Sequence, residues 1–302
     1  MLKNFNEVVD KAKKLGKVTI SVAVAQDEDV LLAIKAAEDA GLARAILVGD
    51  AEKIKPLAAK VGLAADTEII HETDDDQAAL IAVKKVSSGE AQIYMKGLIN
   101  SSNFLRAALN AEYGLRSGRT LSHFAAFEIP GEKKIIFKTD GGMNIAPDLA
   151  AKKGILLNAI EALQNMGIAT PKVAVLTANE QVNPKMPATV DAKALVDMAA
   201  AGEFPSSVIE GPIAMDVASS AEAAKHKGIN SKVAGDVDIF LVPTIEAGNI
   251  FGKLMIHYAK AKNAGIILGA TNPIVMVSRS DSPEAKLNSI ALACVALSRV
   301  KG

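Results

Sequence analysis

The chain has 302 residues, 50% of them hydrophobic. That is enough for a large core and, at roughly 100 to 200 residues per domain, for two domains. Lys plus Arg balance Asp plus Glu at 34 each, so no overall basic excess can track nucleic acid or an anionic membrane, and an anionic ligand must be held locally.

The single cysteine, Cys294, excludes an internal disulfide framework and suits a reducing cytoplasm. The opening MLKNFNEVVDKAKK carries charges where a secretion signal needs an apolar core, and no apolar run reaches the ~18 residues of a membrane span. Short β-branched runs at 17–25, 44–49, 67–70 and 92–96 alternate with alanine-rich segments centred near 35, 56, 82 and 106. This alternation predicts a parallel sheet covered by helices. After the loop YGLRSGR (113–119) the runs TLSHFAAFEI and KKIIFKT, joined by PGEK, predict an antiparallel hairpin, and a domain boundary is expected there. The alternation resumes with a helix at 148–166, a strand at 172–177, a helix from 190, strands at 206–210 and 237–242, and a helix from 249. Strands at 265–269 and 273–278 come next, then a last helix at 283–299 with Leu287, Ile290, Ala291, Cys294 and Val295 on one face.

In open parallel sheets ligands bind beyond the carboxyl ends of the strands, so the loops there carry the functional reading. Six are rich in glycine and hydrogen-bonding side chains: KGLINSSN, TDGGMN, LTANEQVNPKMPAT, PTIEAGN, GATNP and SRSDS. Each taken alone is explained by turn chemistry, but together they point to one lined cleft. In MKGLINSSNFLRAAL a strand ends at Lys96, Ser101 and Ser102 are placed to cap a helix, and Arg106 lies on its first turns. Free amides at a helix start beside a cation suit a phosphate, although Arg106 also reads as a plain surface charge. EAGNIFGK repeats the pattern, with Gly248 allowing close backbone approach and Asn249 capping a helix from Ile250. In NPKMP, Asn183 and Lys185 are available to an anion, while the two prolines equally suit a rigid loop. No Walker or G-x-G-x-x-G motif is present.

In MVSRSDSPEAK, Ser282, Pro283 and Glu284 fit N-cap, N1 and N2 of the final helix. Capping leaves Arg279 and Asp281 unexplained. Arginine recognises phosphate bidentately, and a neighbouring carboxylate can act as a general base. The four histidines (His71, His123, His226, His257) have no zinc-site spacing, so no metal is expected; His123 reads as structural. Cys294, on an apolar helix face, reads as packing rather than as a nucleophile.

The segments KVAGDVDIFLVPTIEAGNI, SRSDSPEAKLNSIALA, MKGLINSSNFLRAAL and VNPKMPAT resemble the phosphate acetyl/butyryltransferase family, on its butyryl branch. The likeness runs from QDEDVLLAIKAAEDAGLARAILVGD to the last helix. It implies two α/β domains with mainly parallel sheets covered by helices and an active-site cleft between them: residues 1–118 plus a returning 276–302, and residues 119–275. It also implies reversible transfer of a butyryl or other short acyl group between coenzyme A and inorganic phosphate, with coenzyme A as substrate and no permanently bound cofactor. Acyl phosphate would be the other partner, an acyl kinase such as butyrate kinase the metabolic neighbour, and a homodimer or larger homo-oligomer the assembly. Ser278 and Arg279 match the family's Ser-Arg pair, the serine toward the coenzyme A sulfur and the arginine toward phosphate or carbonyl oxygen. Arg106 matches a substrate-binding arginine. The acetyl branch's general-base aspartate falls on Ala285 and a further cleft arginine on His257, which favours the butyryl branch and leaves Asp281 or Glu284 as the base. A phosphate acetyltransferase, a nicotinamide dehydrogenase lacking its glycine fingerprint, and a non-catalytic coenzyme A sensor are the competing readings.

Overall fold

The computed structural model describes residues 2–277 and 281–297; Ser278 and Arg279 lie outside them. In chain order, α1 (Phe5–Lys14), β1 (Val18–Ala23), α2 (Glu28–Asp39), β2 (Ala43–Gly49), α3 (Ala51–Val61), β3 (Glu68–His71), α4 (Asp75–Ser87), β4 (Ile93–Lys96) and α5 (Ser101–Ala108) come first. Next are β5 (Ser122–Glu128), β6 (Ile136–Thr139), α6 (Leu149–Asn165), β7 (Lys172–Leu176), α7 (Pro187–Ala200), β8 (Val208–Ile213), α8 (Met215–Ser219), α9 (Ala221–His226), β9 (Ile239–Leu241) and α10 (Ile245–His257). The chain ends with β10 (Lys262–Leu268), β11 (Ile274–Val275) and α11 (Pro283–Ala296). No helix among the described residues is long and apolar enough to cross a membrane.

The chain divides into two compact units, residues 4–119 with 263–302 and residues 120–262 with 1–3. In the first unit the strands run β3-β2-β1-β4-β11-β10, parallel except for the β10–β11 pair. β1 lies between β2 and β4 and is buried along its whole length, as a central parallel strand must be. Residues 263–275, expected with the second domain, group with the first. The reason is pairing: β11 continues the parallel ladder beside β4 (Val275 opposite Met95), and β10 pairs with β11.

Helix starts are set by capping chemistry. Asp27, Asp50, Asp74 and Asn100 end the connections after β1, β2, β3 and β4, and each side chain accepts a first-turn amide of α2, α3, α4 or α5. Helix α11 packs against both α1 and α2. The sequence predicts an amphipathic stripe for it, but nearly every residue from Ala285 to Ala296 is buried, including Lys286, Asn288 and Ser289. Ser289 Oγ donates to Ala285 O at 2.8 Å and accepts the Gly265 amide at 2.9 Å, so a polar side chain in this core links α11 to β10.

The second unit carries β5-β6-β9-β7-β8, with β5–β6 antiparallel and the remaining pairs parallel. The expected hairpin is present, with Ala125 opposite Lys138 and Phe127 opposite Ile136. Phe124 and Phe137 stack at 5.1 Å between centroids. The expected helix from 249 begins four residues earlier, because Thr244 is the N-cap and Ile245 the first helical residue. α8 and α9, for which the sequence offers no clear periodicity, are each a turn or so long and bury Val217, Ala218 and Ala224. Both units are mixed α/β structures built on mostly parallel sheets flanked by helices.

Candidate active site

In the first unit the parallel strands β1, β4 and β11 release their connections at one edge of the sheet, so residues 24–27, 97–100 and 276–277 emerge together. Gly97 is forced by this crowding: a Cβ there would lie 2.7 Å from Ala23 O and nearer still to Val24 O. Its amide donates to Ala23 O at 2.9 Å. Lys96, expected at the substrate, is buried at the strand end, and its Nζ lies 3.4 Å from Gly97 O.

Asn100, not Ser101 or Ser102, caps α5: its Oδ1 accepts the Asn103 amide at 2.9 Å and the Ser102 hydroxyl at 2.7 Å. Asparagine is the stronger cap, and it holds the two serines exposed in the first turn, whose amides have no place in the helical ladder. Arg106 is exposed, with Nη1 3.4 Å from Asp76 Oδ2 and a second bond from Nη2 to Asn103 Oδ1. An exposed pair this long holds the arginine weakly, so the side chain can turn to an anion at small cost.

Ser278 and Arg279 lie outside the described residues, but the chain from Asp281 onward is placed. Ser282 caps α11, its Oγ accepting the Ala285 amide at 3.2 Å, with Pro283 first in the helix and Glu284 exposed in the first turn. Asp281 precedes the cap, half-buried, and its carbonyl accepts the buried Lys286 ammonium. Both carboxylates therefore stand at the start of α11, on the stretch that leaves β11.

In the second unit β6, β9 and β7 run parallel and their carboxyl ends carry the segments 140–148, 242–244 and 177–186. Asn183 and Lys185 are exposed in the last of these; Asn183 Oδ1 accepts the Lys185 amide at 2.9 Å in a local turn. Gly248 and Asn249 are not at the helix start. The Gly248 amide is consumed by Thr244 O at 3.1 Å, so the amides left open at this N-terminus precede it; Ile245 donates to Ile145 O at 2.9 Å. Gly248 serves another purpose: a Cβ there would lie 2.6 Å from Gly141 Cα and 2.7 Å from Asp140 O, so the helix and the loop touch backbone to backbone. His257 ends α10, exposed, its carbonyl accepting Lys260 Nζ at 2.8 Å.

Beneath this contact lies a polar cluster that sequence reasoning misses. Lys138, at 2% exposure, donates from Nζ to Gly248 O at 2.9 Å. Asp140 accepts the amides of Gly142, Met143 and Asn144 at 2.9, 3.0 and 3.0 Å, together with Asn144 Nδ2. His123 stands on β5 with Nδ1 buried and unpartnered, and its carbonyl accepts the Thr139 hydroxyl at 2.9 Å. Burial pushes Lys138 down to about 8 against the pull of the Asp140 carboxylate. Burial and then the Lys138 ammonium push His123 down to about 4, with Asp140 opposing. The one signal available in the sequence is a lysine inside the apolar run KKIIFKT, immediately before the TDGG turn.

A groove of about 790 Å³ lined by Lys17, Lys35, Arg44, Glu38, Asp66 and Glu90 lies at the other, amino edge of the first unit's sheet. It holds none of the candidate residues, and parallel sheets do not place their chemistry at that edge. Cys294 is buried on α11.

Residues 57–294 match the family model described as phosphate acetyl/butaryl transferase. The chain is 46% identical over 296 residues, 98% of each chain, to a phosphate butyryltransferase of Clostridium acetobutylicum. It is 38% identical over 289 residues, 96% of this chain and 98% of the relative, to a phosphate acetyltransferase of Thermotoga maritima. Among solved structures, a branched-chain phosphotransacylase from Enterococcus faecalis V583 superposes with a TM-score of 0.82 at 35% identity, covering 93% of this chain and 99% of that one. Likeness of this extent leaves no room for a chance match of one motif: the chain belongs to the phosphate acetyl/butaryl transferase family.

Proposed function

We propose that the protein catalyses butyryl-CoA + phosphate ⇌ butyryl phosphate + CoA, by direct transfer in a ternary complex. The observation that carries this reading is the near-full-length likeness to a phosphate butyryltransferase at 46% identity, against 38% for a phosphate acetyltransferase. On the motif resemblance the acetyl branch's base position falls on Ala285, which is buried, and its further arginine position on His257, which is exposed, and this supports the butyryl branch over the acetyl one.

A phosphate oxygen attacks the thioester carbonyl carbon; the C–O bond forms, the C–S bond breaks, and sulfur leaves with the electron pair to take up a proton. Arg279 neutralises the phosphate and the developing oxyanion, Ser278 donates a hydrogen bond to sulfur, and Asp281 or Glu284 carries the proton. In reverse, a thiol with a reference pKa of about 8.5 is only a few per cent thiolate at neutral pH, which is why a base helps. In the first unit Arg106, Ser101, Ser102 and Lys96 are proposed to bind substrate; in the second, Asn183, Lys185 and His257 are proposed contacts, while Gly248 and Asn249 lie inside α10 with the Gly248 amide taken by Thr244 O, so they are not proposed as anion donors. Buried Cys294 is placed to pack, so no acyl-cysteine is needed. The protein works as a cytoplasmic homo-oligomer in short-chain fatty acid metabolism, passing acyl phosphate to an acyl kinase.

The test is thiol release from butyryl-CoA and acetyl-CoA with and without phosphate. Phosphate-dependent release favouring butyryl-CoA is expected, and Arg279→Ala should raise the phosphate KM and cut kcat. A marked preference for acetyl-CoA would replace butyryl by acetyl; no release from folded protein that binds coenzyme A would leave a sensor.

A further inference from the structure

A lysine at 2% exposure is expensive to keep charged, and a strand-to-helix tie could be made by an apolar side chain of similar size at lower cost. Lys138 is nevertheless set where two pieces of backbone meet. Its Nζ donates to Gly248 O at 2.9 Å in α10, and the loop after β6 passes close enough that a Cβ on Gly141 would lie 2.7 Å from Gly248 C. The loop's shape is held from inside by Asp140, whose carboxylate gathers the amides of Gly142, Met143 and Asn144. Gly142 is then exposed at the carboxyl edge of the parallel strands, beside the start of α10. The titratable groups around the ammonium are Asp140, at the end of its own strand, and His123 on β5. From α10 it meets the Gly248 carbonyl and the side of the helix left open at Gly252, and from β5 the ring of Phe127 closes the same space.

We propose that Lys138 is a positioning residue for the acyl transfer: its ammonium ties the Asp140–Asn144 loop to the first turns of α10 and so keeps both segments in the arrangement that meets substrate. This rests on the reaction proposed above. Burial sets its ionisation close to the working range, so the tie loosens as pH rises past about 8.

The experiment measures kcat/KM for phosphate, with butyryl-CoA as the acyl donor, from neutral to alkaline pH, together with thermal melting, for the wild type, Lys138→Met and Asp140→Asn. In this direction coenzyme A is a product, so its thiol does not shape the alkaline limb. Lys138→Met, close in volume, should lose at least about tenfold in kcat/KM at neutral pH, show no limb near pH 8, and melt no lower than the wild type, since it removes a buried charge. Asp140→Asn should move the limb to lower pH, because the carboxylate supports the ammonium. The inference is overturned if Lys138→Met stays within about twofold of the wild type, if it keeps the limb, or if its loss of activity only tracks a loss of melting temperature. Should Lys138→Met fail to fold, Asp140→Asn decides: an unmoved limb overturns the inference. A wild type inactive with every acyl-CoA would instead defeat the reaction itself, a different result from an active wild type matched by its variant.

Discussion

His123 is held neutral by its surroundings, and this fixes the direction of its effect on stability. Its folded value of about 4 lies below the reference 6.5, so between those two the unfolded chain binds a proton that the folded chain refuses. Stability contributed by the neutral ring is complete above about pH 6.5 and is lost as pH falls toward 4, by roughly 3 kcal/mol in total. Carboxylates also titrate in this range, so the comparison must be with His123→Gln. Urea midpoints measured across the same interval should fall more steeply for the wild type than for the variant; parallel curves would mean that the ring is hydrated or protonated in the fold. Reading His123 as structural from sequence is sound as far as burial goes, but the sequence does not show what the ring faces. Its environment comes from the β5–β6 pairing, which sets Ala125 opposite Lys138 and brings the ring beside Gly142. A residue-scale pattern cannot register how two strands pair across a turn, so the cluster with Lys138 and Asp140 is invisible in the sequence while its members are in plain view.

At the scale of the element, α10 shows how an anion-site pattern can be misplaced. The run EAGNIFG offers a glycine and an asparagine in the order of a helix start, but the helix begins at Ile245, uses Gly248 for close packing and leaves room for a side chain at Gly252. These two glycines make opposite predictions under one substitution. Alanine in place of glycine inside a helix gains up to about 1 kcal/mol from propensity alone. At position 252 the new Cβ would sit 3.4 Å from Lys138 Nζ and 3.6 Å from Phe127 Cζ, near ordinary contact, so Gly252→Ala should melt at or above the wild-type temperature. At position 248 the Cβ would press on Gly141 Cα and Asp140 O, backbone atoms that cannot swing away, so overpacking of about 1 to 3 kcal/mol outweighs the propensity gain. Gly248→Ala should therefore melt lower and lose acyl transfer together. Thermal melting of the two variants side by side checks this, and equal melting temperatures would show that the α10–loop contact is loose. The same comparison explains why strands and most helices are legible from periodicity, while caps are not: Asn100 caps α5 beside two serines of suitable chemistry, and Thr244 takes the N-cap position of α10 with no side-chain bond to its amides.

For the molecule as a whole, the α/β alternation is readable because buried parallel strands need continuous apolar runs and the covering helices need a period near 3.6. The partition of residues 263–275 is not, since it depends on β11 lying beside β4, about 180 residues away in the chain. The consequence is that the first unit is closed by the last stretch of sequence. Burial of Ile290, Leu292 and Val295 alone, at about 1.5 to 3 kcal/mol each, is worth about 5 to 9 kcal/mol, comparable with the whole stability of an ordinary domain. Removing residues from Pro283 onward also uncovers the facing surfaces of α1 and α2 and leaves the Gly265 amide without Ser289. A chain ending before Pro283 should lose the cooperative melting of the first unit and become prone to aggregation, even though every strand of its sheet is still present. A chain ending after Leu297 should melt as the full protein does, because every described contact of α11 is kept. Circular dichroism melting and sedimentation of the three chains measure the difference. If the shorter truncation still gave the full cooperative transition, α11 would be an appendage rather than the middle of the first unit's core, and the proton-carrying role proposed for Asp281 and Glu284 would lose its fixed platform.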